Sequence, residues 1–188
     1  MTAGTGFSSS SGGGASLPYK VYTALLTQSG GDSPASIYGN EYLLVIGVTY
    51  TITEYEIPFV YGDFTNVGAP NNEIGTSFVA TGTTPNSWGS TSLTYNEGAP
   101  VTTVLENTIG NVWFTYQNQG TYLIYSDNLF TANKTATFTT TSVQPSEPLW
   151  ITINWAGTSE IYLTQFDVDG NYINGLPINT PIEIRIYN

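Results

Sequence analysis

PIEIRIYN, residues 181–188, alternates without a break: Ile182, Ile184 and Ile186 point to one side of an extended chain, Glu183, Arg185 and Tyr187 to the other. That period of two marks a strand with one dry face and one wet face. Working back from it, six more runs of strand length fill the second half: TTVLEN (102–107), NVWFTYQ (111–117), TYLIYS (121–126), TATFTTTSV (135–143), LWITINW (149–155) and IYLTQFDV (161–168). Between them stand NTIG, QNQG, SDN, PSEP, AGTS, DGN and NGLP, rich in the residues that accept turn conformations.

The first half follows the same plan with softer edges. YKVYTALLTQ (19–28) reads as a strand closed by SGGDSP, and YLLVIGVTYTITEYEI (42–57) is long enough for one bent strand or two short ones, with Gly47 as a bulge. IPFVYG (57–62), IGTSFVAT (74–81) and STSLTY (90–95) continue the pattern. No ten-residue stretch carries helical periodicity. The expected fold is all-β: a β-sandwich, either a jelly roll or an immunoglobulin-like Greek key, with little or no helix.

At 188 residues and 20.3 kDa the chain suits one domain with a substantial core. Residues 1–17 read as a flexible Gly/Ser-rich arm in which Phe7 is the only aromatic side chain, and residues 18–188 as a single sandwich domain. The arm has neither the charged start nor the apolar run of a secretory signal.

Charge narrows the functions. Lys20, Lys134 and Arg185 face 14 acidic residues, a formal net charge of −11. Nucleic acid is not an expected partner, since phosphate affinity comes from Lys and Arg, and an anionic membrane surface is disfavoured for the same reason. The longest apolar run, LLVIGV (43–48), is too short to span a bilayer. The chain has no cysteine and no histidine, which removes disulfides, thiol nucleophiles, the commonest general base and the commonest metal ligand. No cofactor is expected.

Three candidate sites remain. DVDG (167–170) resembles the start of a calcium loop through Asp167 and Asp169, but the closing glutamate and further oxygen ligands are missing, so an Asp-Gly turn between strands is preferred. Glu54 and Glu56 share one face of a strand, and with Asp63 and Glu73 they are the carboxylates a glycosidase would need; neighbours on one strand more often mark its wet face. Four tryptophans and 14 tyrosines suit a sugar-stacking platform or a subunit interface. In NVWFTYQ both faces carry aromatic side chains, which favours burial by core on one side and by a partner on the other; the expected interface set is Phe7, Trp113, Phe114, Tyr116, Tyr122 and Tyr125.

Four stretches carry a likeness to known sequences: PYKVYTALLTQSG (18–30), APVTTVLENTIGNVWF (99–114), ANKT (132–135) and NTPIEIRIYN (179–188). Together they resemble a small β module that recurs in predicted virion proteins of aquatic viruses and bacteriophages. Where that module passes in a few residues from TQSG to APV, this chain has residues 31–98, read as an insertion or sheet extension. The resemblance implies a spike, fibre, decoration or minor capsid subunit that is not an enzyme. Such a protein would assemble with copies of itself and other capsid proteins, residing in the virion after synthesis in host cytoplasm. Attachment to a host-surface glycan, as a carbohydrate- or receptor-binding module, is the alternative. A glycoside hydrolase and an extracellular filament subunit stand further back.

Overall fold

The computed structural model describes residues 18–28, 34–38, 42–54, 60–139, 149–176 and 179–188, with 34–38 and Glu54 as backbone only. The N-terminal arm with Phe7, and Glu56, lie outside the described residues. The described strands are β1 (Tyr19–Thr27), β2 (Pro34–Tyr38), β3 (Thr49–Glu54), β4 (Ser77–Val79), β5 (Thr91–Asn96) and β6 (Val101–Asn107), then β7 (Val112–Asn118), β8 (Thr121–Ser126), β9 (Thr135–Thr139), β10 (Trp150–Trp155), β11 (Glu160–Phe166) and β12 (Thr180–Tyr187). A single 3-10 turn, Thr65–Val67, is the helical element among them.

The strands form three antiparallel sheets, in the orders β6-β1-β12-β9, β10-β11-β8-β7 and β2-β5-β3-β4. The first two enclose one core, so the molecule is an all-β sandwich. Its pairing order separates the two expected topologies. β7-β8-β11-β10 follows the A-B-E-D order of an immunoglobulin-like sheet, and β9-β12-β1 follows C-F-G, with the first strand of the chain in the last position. β6 extends that sheet by one edge strand.

Alternation decides what the core contains. Ile182, Ile184 and Ile186 of β12 all turn inward, beside Tyr22, Ala24 and Leu26 of β1. Opposite them lie Val112 and Phe114 of β7, Tyr122 and Ile124 of β8, and Ile161 and Leu163 of β11. Each fully buried side chain of this size contributes about 1.5–3 kcal/mol. A polar chain crosses the layer: the Tyr122 hydroxyl and the Gly175 N–H both donate to Gln28 Oε1, at 3.2 and 2.6 Å. Burial pushes the Tyr122 phenol up to about 12.

The third sheet has a core of its own, built from Leu44, Tyr50, Ile52, Phe64, Val67, Phe78, Trp88 and Leu93. Phe64 meets Trp88 edge-on at 5.5 Å between ring centres. This sheet abuts β7: the Phe114 N–H donates to Thr49 Oγ1 at 3.2 Å, and Asn111 Nδ2 to the Ser77 carbonyl at 3.0 Å.

Two expectations from the first half are corrected. Residues 42–48 are not strand; Leu44 is buried while Leu43, Val45 and Ile46 are exposed around a turn. Gly47 is part of that turn rather than a bulge, with a positive φ of 88°. A Cβ there would come within 2.5 Å of the Thr102 carbonyl, because Gly47 is where this loop presses against β6.

Candidate functional site

Of the six residues expected at an interface, Phe7 lies outside the described residues and the other five divide on burial. Phe114 and Tyr122 are fully enclosed in the sandwich core, which corrects their placement on a contact face. The aromatic weight on both faces of β7 is real, but the chain's own sandwich core accounts for Phe114. Trp113, Tyr116 and Tyr125 are half-buried. Trp113 and Tyr125, directly opposite on β7 and β8, stack 5.7 Å apart and 18° from parallel.

The carboxylates separate in the same way. Asp63 is a hub for its loop: Oδ1 accepts from the Thr65 hydroxyl at 2.6 Å and the Thr65 N–H at 3.1 Å, and Oδ2 from Asn86 Nδ2 at 2.9 Å. The Thr65 hydroxyl first, and then Asn86, hold its carboxyl down at about 2. Glu54 lies on β3, and only its backbone is described. Glu73 is exposed on the loop before β4.

Asp167 holds a turn. Its carboxylate accepts from the Asn171 side chain at 3.0 Å and from the N–H groups of Asn171 and Asp169 at 2.8 and 2.9 Å, and Asn171 is the main cause of its lowered pKa. Phe166 and Tyr172 then bridge across the turn. Among the described residues no three His, Cys, Asp or Glu side chains gather as a metal site would need, and no helix is long and apolar enough to cross a membrane.

Two surface features were not foreseen. The first lies on the outer face of the β6-β1-β12-β9 sheet. Glu106 and Val104 pair with Thr23 and Ala24, leaving Leu105 as an extra residue. Such a bulge re-aims its side chain, and Leu105 stands 62% exposed, flanked by exposed Val101 and Val104. Phe138, on the opposite edge strand, is also exposed. Leu105 and Phe138 bound a depression of about 270 Å³ with Thr23, Pro181 and Glu183 in its lining. Arg185, ion-paired with Glu183, lies over the rings of Tyr19 and Phe138 at 4.7 and 4.9 Å.

The second is a cleft of about 340 Å³ between the 70–77 loop and β7. Trp113 lines it, together with Asn71, Glu73, Asn111 and Asp127. The Asn71 side-chain oxygen is held by the Glu73 N–H at 2.9 Å and the Thr76 hydroxyl at 2.5 Å. Of the four candidate carboxylates Glu73 alone lines this cleft among the described residues; Asn71 and Asp127 look like ordinary turn chemistry in the sequence, which gives no sign that they are its neighbours.

No family model, curated protein or solved structure matches this chain. Its sites are therefore read from their own residues.

Proposed function

We propose that this chain is a structural subunit of a virus particle, acting through self-assembly and attachment rather than through covalent chemistry. The observation that carries the assembly reading is the β6 edge. The Gly47 carbonyl takes the Thr102 N–H at one end of this edge strand, at 2.8 Å, and beyond it Val104 and the bulged Leu105 are turned to solvent, with Val101 partly so. An apolar edge of this kind is a template for another chain unless something covers it. The stretches that resemble virion proteins supply β1, β6, the turn into β9 and β12, three of the four strands of the sheet bearing this edge, together with the start of β7.

The occupant is a second copy. Leu105 and Phe138 rise from opposite edges of the sheet, and the depression between them takes an apolar side chain from a neighbour. Multi-angle light scattering on the full chain tests this. The expected result is a defined homo-oligomer that Leu105→Glu converts to 20.3 kDa monomers with an unchanged circular dichroism spectrum. A native chain that stays monomeric at high concentration would overturn the reading.

A further inference from the structure

We infer that the cleft between the 70–77 loop and β7 binds an uncharged pyranose, the exposed unit of a surface glycan. This goes beyond assembly and does not depend on it. The cleft lies beside the seam between the third sheet and β7, and the bonds to Asn71 tie its loop wall. Asn111 belongs to the sandwich side and is tied to Ser77 of the inserted sheet.

Its lining has the two elements that a sugar ring needs. The aromatic element is Trp113. Its indole is held by the stack on Tyr125 and lines the cleft, offering preset apolar area to the C–H groups of a ring. The polar element is a set of side chains with capacity left over. Asn111 uses its amide nitrogen on Ser77, which leaves its oxygen as an acceptor; Asn71 has its oxygen held twice, which leaves its nitrogen as a donor.

Glu73 and Asp127 are the charged residues of the lining. Carboxylates accept strong charge-assisted bonds from neutral hydroxyls, and a pair of adjacent hydroxyls can engage both oxygens. The volume of about 340 Å³ falls at the small end of ligand pockets and suits one ring rather than a long chain.

Charge then selects among sugars. Two carboxylates in the cleft, on a chain of net charge −11, repel sialic acids, uronic acids and phosphorylated sugars. The expected ligand is therefore a neutral hexose.

Isothermal titration of the full chain with methyl hexosides, carried to concentrations that would saturate a weak site, tests this. At least one neutral hexoside should bind saturably, and sialic acid and glucuronic acid should not. Glu73→Gln and Asp127→Asn, both exposed, should each weaken binding about tenfold while leaving the melting temperature unchanged. Trp113→Ala should abolish binding; Trp150→Ala, an exposed tryptophan on the far edge strand, should not. Saturable binding that survives all three cleft variants, preference for the acidic sugars, or no binding to any hexoside would overturn the inference. None of these outcomes alters the light-scattering test of assembly.

Discussion

The sandwich and the inserted sheet bury aromatic cores of similar kind by different means. In the sandwich, long paired strands bring Ile182, Ile184, Ile186, Tyr22 and Phe114 inward by strict alternation. In the inserted sheet the strands are short, and much of the core, including Phe64, Val67 and Trp88, sits on loops between them. Those loops are held by side chains bonding to backbone: Asn72 Oδ1 accepts from the Phe64 N–H at 2.9 Å, and Asn66 and Asp63 hold their neighbours likewise. Ladder hydrogen bonds make a region strong by repetition. Side-chain anchors make it dependent on a few residues.

That contrast is open to direct challenge. The largest expected effect is Phe114→Ala, which removes a fully buried ring beside Tyr22 and should cost about 3–5 kcal/mol, lowering the stability of the whole chain. Phe64→Ala removes an equally buried ring and should cost a similar about 3–5 kcal/mol. Its damage should be confined, however: hydrogen exchange should show β3 and β5 losing protection while β12 keeps it. If β12 loses protection too, the two cores are one cooperative unit and the contrast fails.

A smaller effect should appear with acid. The carboxyl of Asp63 is held at about 2, below its ordinary 3.8, so its bonds stabilise the fold fully above the ordinary value and are lost as pH falls from about 4 through about 2. Asp63→Asn should lower the melting temperature of the inserted sheet at pH 7 and flatten its dependence on pH in that window. A variant as acid-sensitive as the native chain would show that other carboxylates set the response. Asp167, shifted the same way, would be the next to examine.

The same contrast explains what could be read in advance. β12, β10 and β11 are legible because a strand's period is local: residues 182, 184 and 186 need no knowledge of their partner. The bulge at Leu105 is not, since it exists only in the register of β6 against β1, some 80 positions away. Gly47 was visible as a special residue, but its role depends on Thr102. Phe114 and Tyr122 are legible as important aromatics but not as core, because with aromatic side chains on both faces of β7 the sequence does not show which face turns toward β1 and β12. The cleft is the extreme case. Asn71 and Asn111 line it from positions 40 apart, and although the sequence points to both Trp113 and Glu73, it does so for unrelated reasons and does not bring them together.

The most direct test of the virion assignment is quantitative mass spectrometry of purified virus particles, with antibody labelling of the intact particles by electron microscopy. The account predicts peptides of this chain at a fixed, multiple copy number and label on the particle surface. A chain that stays in the soluble lysate and leaves purified particles unlabelled and free of its peptides would contradict it.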